Sequence, residues 1–350
     1  MGEGAETIGI LTGGGDCPGL NPVIRAVVRR AERESWRVIG FRYGWKGILE
    51  NDYRMLDRNS VSGILPKGGT ILGTSRTNPY KDKAQASANI EKIKKVFAEH
   101  HLKALIAVGG EDTLGVASKL HKDGIKNIVG VPKTIDNDLS CTDYTFGFDT
   151  AINIATEAID RLHTTAESHD RIMVVELMGR HAGWIALEAG IAGGADVILI
   201  PEKPMSVDEI CAIVKRRASR GTTFSIIAVS EGFQLLGEDV TQTKELDSFG
   251  HVRLGGVGER LAKVLEEKTG FETRCTVLGH LQRGGTPTAF DRVLGTRFGV
   301  SAVEYIKEGK FGYMVSLRGN DIVPAKLEDA VKELKRVPDW FYDLAKVFFG

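Results

Sequence analysis

Short β-branched runs alternate along the chain with longer stretches in which apolar residues recur every three or four positions. The run Thr7–Thr12 predicts a strand, and Asn21–Glu34 an amphipathic helix behind it. Arg37–Phe41 predicts a second strand. A glycine-rich link then leads to a helix near Ala88–Glu99, the strand Leu105–Val108, the helix Thr113–Lys122 and the strand Asn127–Val131. The pattern repeats with helix Thr150–Ala166, strand Arg171–Leu177, helix Trp184–Ala192, strand Val197–Ile200, helix Val207–Ala218 and strand Phe224–Val229. A helix at Gly258–Lys268, the strand Thr276–Leu278 and a helix near Ala289–Ile306 close the series. Such alternation predicts an α/β fold, doubly wound, with mainly parallel sheets covered by helices on both faces. So many strands predict two sheets, with helix Thr150–Ala166 crossing between them, and 350 residues suffice for two or three lobes.

Polar, glycine-punctuated clusters follow six of the apolar runs. They are G-G-G-D-C-P-G (Gly13–Gly19), G-G-E-D-T (Gly109–Thr113), P-K-T-I-D-N-D (Pro132–Asp138), M-G-R-H-A-G (Met178–Gly183), S-E-G (Ser230–Gly232) and G-H-L-Q-R-G-G (Gly279–Gly285). All fall at carboxyl ends of predicted strands, the edge where open α/β sheets bind ligands. Six together predict one shared site.

Each cluster has a chemistry and a plainer reading. Gly13–Gly19 offers backbone N–H groups to an anion, or is simply a tight turn. It is neither a P-loop nor a G-x-G-x-x-G fingerprint, because no Gly-Lys-Ser/Thr follows and Pro18 stands where the last glycine belongs. Glu111 and Asp112 suit a hard cation such as Mg²⁺, or cap the helix predicted from Thr113. Asp136 and Asp138 flank Asn137, so in extended chain both would point the same way. One could then take a proton from a hydroxyl while the other helps hold a metal, with Lys133 close by to meet a phosphoryl group. A turn or an Asx cap is the plainer account. Arg171, Arg180, Glu231, Arg274, His280 and Arg283 could clamp a phosphorylated, polyhydroxylated molecule.

Composition excludes more than it suggests. Lys+Arg and Asp+Glu both total 46, which gives no global charge to attract nucleic acid or an anionic membrane. Cys17, Cys141, Cys211 and Cys275 are far apart, so free thiols in a reducing compartment are expected rather than a zinc site. The opening M-G-E-G-A-E shows no basic region or long apolar segment, and a cytosolic protein is expected.

With these residues assembled, the chain resembles the phosphofructokinase family. T-I-D-N-D, S-H-D-R, M-G-R and L-G-H-L-Q-R-G-G occur in the family's order, and the resemblance runs from Thr7 to about Arg297. It implies phosphorylation of fructose 6-phosphate at the 1-hydroxyl with Mg²⁺. It also implies a phosphoryl-donor lobe over 1–147, a sugar-phosphate lobe over 148–281, a return to the donor lobe over 282–330 and a helical tail over 331–350.

Carried over residue by residue, the resemblance makes Asp136 the general base, with Thr134, Ile135 and Asp138 beside it. Gly14, Arg76, Asp112, Thr113 and Lys133 would meet the donor, and Glu111 the metal. Met178, Gly179, Arg180, Glu231, His280 and Arg283 would contact fructose 6-phosphate. Arg171 and Arg274 would reach the 6-phosphate of a neighbouring subunit, which implies a homo-oligomer.

Two departures bear on the donor. ATP-dependent members typically read G-G-D-G-S and P-G-T-I-D-N-D, whereas this chain has Asp112 and Lys133 at the two glycine positions. Like charges about 4 Å apart repel by ~4 kcal/mol at an effective dielectric near 20, so Asp112 opposes a nucleotide α-phosphate. Lys133 adds a cation for a small tetra-anion. The pair is similar to that of members using inorganic diphosphate, which is the expected donor; an ATP-dependent 6-phosphofructokinase is the alternative. Arg25, Arg29 and Arg58 match part of the family's effector pocket, while His163 and Thr222-Thr223 depart from it, so a response to nucleotide or phosphoenolpyruvate is not expected. The NAD-kinase and lipid-kinase group leaves M-G-R and H-L-Q-R-G-G unexplained. A regulator without turnover is disfavoured by the presence of Asp136 and Gly14, and a dinucleotide oxidoreductase by the lack of an acid after the second strand.

Overall fold

A computed structural model describes residues 5–235 and 255–350; the opening Met-Gly-Glu-Gly lies outside the described residues. The first elements are β1 (Thr7–Thr12), α1 (Leu20–Glu32), β2 (Arg37–Phe41), α2 (Trp45–Glu50) and β3 (Tyr53–Leu56). They are followed by α3 (Lys83–Glu99), β4 (Leu102–Gly109), α4 (Glu111–Lys122) and β5 (Ile128–Pro132). A long helix, α5 (Phe148–His169), leads into β6 (Ile172–Leu177), α6 (Trp184–Ala192), β7 (Val197–Leu199), α7 (Val207–Ser219) and β8 (Ser225–Ser230). Then come α8 (Val257–Thr269), β9 (Thr273–Val277), a 3₁₀ turn (Gly279–Arg283) and α9 (Ala289–Lys307). The hairpin β10 (Tyr313–Arg318) and β11 (Asp321–Lys326), then α10 (Leu327–Ala330) and α11 (Asp339–Lys346), complete the chain.

Seven strands form one sheet in the order β11-β10-β5-β4-β1-β2-β3, and four form a second in the order β7-β8-β6-β9. The first is parallel except where the edge strands β3 and β11 pair antiparallel with β2 and β10. The second is parallel throughout. Every residue of β1 and of β6 is buried, as expected of strands covered on both faces. One apolar core runs through both sheets: Ile8, Ile10 and Val129 of the first and Val175, Ile198 and Ala228 of the second join across Phe148, Ala151 and Ala155 of α5. The helix predicted to cross between the sheets does so.

The strands β3, β10 and β11 were not predicted, and β3 and β11 lie at the edges of the sheet. An edge strand has one solvated face and little apolar signal: Met55 is 53% exposed, and Pro324 interrupts β11, a position open to proline only at an edge or bulge. The tail packs on the second sheet through Tyr342 and Ala345, with the Tyr342 hydroxyl donating to Ile198 O at 3.1 Å.

This topology places two crevices. In the first sheet the chain moves from β1 outward through β2 and then returns to lay β4 on the other side of β1. The loops after β1 and β4 therefore diverge and leave a gap at their carboxyl ends. In the second sheet β8 and β9 flank β6 on opposite sides, with the same result.

Candidate active site

At the first crevice, Gly14, Gly15, Gly110, Glu111, Asp112, Thr113, Lys133, Thr134, Asp136 and Asp138 line one cleft. Arg76, Arg180 and Arg283 close it, the last two coming from the second crevice. Eleven of the residues expected from the sequence thus meet in one place: Gly14, Arg76, Glu111, Asp112, Thr113, Lys133, Thr134, Asp136, Asp138, Arg180 and Arg283.

Helix α4 begins at Glu111 rather than Thr113, with Gly110 as its N-cap. Glu111 and Asp112 therefore sit in its first turn, where the helix dipole favours negative charge, and they face the cleft as well. The capping and ligand readings describe one placement.

The loop after β1 differs from its expected form. The Gly13 and Gly14 N–H groups donate to Val108 O at 2.9 Å and Ser75 O at 3.1 Å, so they hold the loop rather than stand ready for an anion. What the glycines supply is room. A Cβ on Gly15 would lie 2.5 Å from Arg283 Nη1. Gly14 has φ +80°, and a Cβ there would project to 3.5 Å from Lys133 Nζ.

Lys133 is 4% exposed and donates to Gly15 O. Burial pushes its ammonium below the usual lysine range. Beneath the loop, burial pushes the Cys17 thiol up to about 12, so it stays protonated.

The two acids do not align through extended chain. Asn137 between them has φ 50°, the left-handed region, which reverses the direction of the backbone. Asn is among the few residues that adopt it readily. Its amide then serves the loop: Oδ1 accepts the Thr145 N–H at 3.2 Å. Asp136 donates its N–H to Thr134 Oγ1 at 3.0 Å, and its own Oδ1 is buried without a hydrogen-bond partner. Burial and then the Asp136 charge hold the Asp138 carboxyl well above the ordinary range.

These acids fit Mg²⁺, which takes one or two protein carboxylates and completes its shell with phosphate oxygens and water. Among the described residues no group of three or more His, Cys, Asp or Glu forms a protein-only cage. The unpartnered Asp136 oxygen and the Glu111 and Asp138 carboxyls lie in the same cleft.

At the second crevice Glu231 Oε1 accepts the Arg180 N–H at 3.1 Å. Burial, then the charge of Asp136, pushes Glu231 up to about 7. Buried Gln282 accepts the Met178 N–H at 3.3 Å and fixes the M-G-R loop, in which Gly179 and Arg180 both have positive φ. Ile135 is wholly buried, so only its backbone can face the site. His280 is exposed on the 3₁₀ turn and does not line the cleft. Arg171 and Arg274 also stand away from it, both paired with Glu272, at 2.8 Å for Arg171. Of the effector-like residues, His163 is bonded to Gly193 O at 2.7 Å and Arg29 pairs with Glu32 at 3.7 Å.

Sequence reasoning missed three contributors: Asn137 as the turning point of the loop, Trp184 at the start of α6, and Lys335, whose ammonium donates to Asn137 Oδ1 at 2.9 Å. The unlike residues of T-I-D-N-D flag the first. No local pattern marks the other two.

Paired acids, a buried lysine among three arginines, and two facing crevices define a site suited to phosphoryl transfer. The chain belongs to the phosphofructokinase family, whose model matches residues 7–306. It is 61% identical over 345 residues, 98% of this chain and 99% of the relative, to the pyrophosphate–fructose 6-phosphate 1-phosphotransferase of Amycolatopsis methanolica. It is 53% identical over 348 residues, again 98% and 99%, to the ATP-dependent 6-phosphofructokinase of Mycobacterium leprae. Among solved structures it superposes on the phosphofructokinase of Pichia pastoris in the T-state with a TM-score of 0.81 at 33% identity. That match covers 99% of this chain and 39% of the other. No helix among the described residues is long and apolar enough to cross a membrane.

Proposed function

We propose that this protein transfers a phosphoryl group from inorganic diphosphate to the 1-hydroxyl of fructose 6-phosphate, reversibly, giving fructose 1,6-bisphosphate and orthophosphate. The observation that carries the reading is the donor end of the cleft, where Asp112 and the buried ammonium of Lys133 face the same space. A small tetra-anion gains from Lys133, while a nucleotide's longer phosphate chain must also pass Asp112. The name of the 61% relative supports the same donor.

In this reading Asp136 takes the proton of the 1-hydroxyl as its oxygen attacks phosphorus, and the bond to the bridging oxygen of diphosphate breaks. Thr134 holds the backbone of Asp136 at 3.0 Å. Lys133 and Arg76 gather the donor phosphates, and Arg180, Glu231 and Arg283 orient the sugar. Glu111 and Asp138 would hold Mg²⁺, which when bound neutralises charge on the phosphate oxygens. The residues 1–147 and 282–330 form the donor lobe, 148–281 the sugar lobe and 331–350 the tail. Arg171 and Arg274 complete the 6-phosphate site of a neighbouring subunit in a homo-oligomer, and His280 contacts fructose 6-phosphate within its own. The four thiols are free, in keeping with the cytoplasm.

One observation favours ATP: a groove lined by Asn78, Gly115, Ser118 and Lys119 continues from Glu111 and Asp112 along α4, with room for a longer donor. The test compares kcat/KM for diphosphate and ATP at fixed fructose 6-phosphate and Mg²⁺. Diphosphate is expected to win by ~100-fold or more, the factor worth ~2.7 kcal/mol. The double change Asp112→Gly, Lys133→Gly is expected to erase that preference; a preference for ATP in the unaltered protein overturns the donor.

A further inference from the structure

The C-terminal segment crosses the loop that carries Asp136 and Asp138. Lys335, between α10 and α11, donates from its ammonium to Asn137 Oδ1 at 2.9 Å, Thr142 O at 3.0 Å and Asp143 O at 2.8 Å. All three ammonium protons are thereby used. Its backbone N–H donates to Asp138 O at 2.8 Å, the carbonyl of one of the two cleft acids. Leu334 beside it forms a β-bridge with Leu139, and Ser140 Oγ donates to Glu333 O at 2.7 Å.

The other side of the same residue meets the second sheet. Lys335 O accepts the Trp184 Nε1–H at 2.8 Å, and the ammonium lies 5.1 Å from the centre of that indole. Trp184 opens α6, four residues after Arg180. Two residues on, the Val337 N–H donates to Glu202 Oε1 at 3.1 Å, and the same carboxylate accepts the Gly183 N–H at 3.0 Å. One short stretch of chain thus grips the acid loop of the first crevice and the arginine loop of the second.

The chemistry of the grip points to function. The ammonium is bonded to three neutral oxygens, and a cation held this way gains less than it loses by leaving water. Asp143, Asp138 and Glu188 face it favourably and Arg318 opposes it. A residue kept only for packing would more simply be apolar. Fixing a left-handed Asn and two carbonyls to one point, by contrast, sets the direction of the whole loop.

We propose that Lys335 is a positioning residue for phosphoryl transfer: it locks the Asp136–Asp138 loop against α6, so that the acids and Arg180 keep a single geometry across the cleft. The inference rests on the reaction proposed above, since it assigns Lys335 to that reaction. Misplacing reacting groups by about 1 Å can cost ~100-fold in rate.

The test uses the full chain with Lys335→Met, which keeps an unbranched side chain out to Cε and removes its donors. The expected result is kcat lower by ~100-fold, with KM for fructose 6-phosphate within about threefold of the unaltered protein. Amide exchange should quicken over residues 136–143 and not in β1 or β6. Lys335→Arg keeps the charge, but a planar fork cannot aim at three oxygens converging on one point, so kcat should still fall by ~10-fold or more. That variant carries the test if the methionine change does not fold. The unaltered protein, run alongside, separates the two readings. If it turns over neither donor, the reaction is wrong, and the exchange measurement still decides whether Lys335 fixes the loop. Folded variants with kcat within about twofold of the unaltered protein, or with unchanged exchange in the loop, overturn the assignment. So does a loss of thermal stability with kcat intact.

Discussion

The two crevices are built alike and finished differently. At the end of the seven-stranded sheet the charged groups are enclosed: Lys133, Asp136 and Asp138 are all buried and are placed by backbone and side-chain hydrogen bonds of the same chain. At the end of the four-stranded sheet Gln282 is buried but Glu231 is only partly so, while Arg274 and His280 stand at the surface and Arg171 leans on Glu272. In the proposed reaction the first end holds groups whose positions must be set beforehand, since charge develops there. The second, in the same proposal, holds groups that recognise a fixed charge, where a flexible cation suffices.

The largest effect should come from the enclosed end. Asp136→Asn removes the base while keeping the shape, and kcat is expected to fall by ~10³-fold or more with the melting temperature unchanged. A loss under tenfold would show that the buried acid is no more committed to the chemistry than the surface arginines. Glu231 stands between the two classes, partly buried, and desolvation pushes its folded-state pKa up to about 7 from an ordinary 4.5. The folded form therefore keeps a proton that the unfolded chain releases, and stability falls as pH rises from about 4.5 to 7. The full cost above pH 7 is ~3 kcal/mol. Glu231→Gln removes it, so the stabilising effect of the change should grow by ~2 kcal/mol between pH 5.5 and pH 8, read by denaturant unfolding at each pH. A pH-independent effect would place Glu231 with the solvated groups. The smallest effect is expected at the open end, where Arg171→Ala should raise KM for fructose 6-phosphate by ~10-fold and leave kcat within about twofold. A fall in kcat instead would blur the distinction between the two ends.

The enclosed end was also the more legible in sequence. G-G-E-D-T and P-K-T-I-D-N-D stand out because charges directly after apolar runs have no role in packing, and both reach the cleft. The reason given for the pairing of Asp136 and Asp138 was nevertheless wrong. Alternation presumes extended chain, and Asn137 is left-handed. The parallel strands declared themselves through unbroken β-branched runs, whereas β3 and β11, solvated along one face, did not. Lys335 was beyond reach for a different reason. The partners of its ammonium lie 192 to 198 residues away, and L-K-R-V-P carries no period that points to them.

That separation has a temporal side. Synthesis proceeds at about 5–20 residues per second, so the 198 residues between Asn137 and Lys335 correspond to about 10–40 s. Throughout that interval the nascent chain already displays both acids of T-I-D-N-D on a sheet whose central strands have been made. The residue that clasps their loop emerges only after that interval. A product cut short between Asp138 and Lys335 carries both acids of T-I-D-N-D and lacks the clasp, so their loop stays unfastened until every described strand of both sheets has been made.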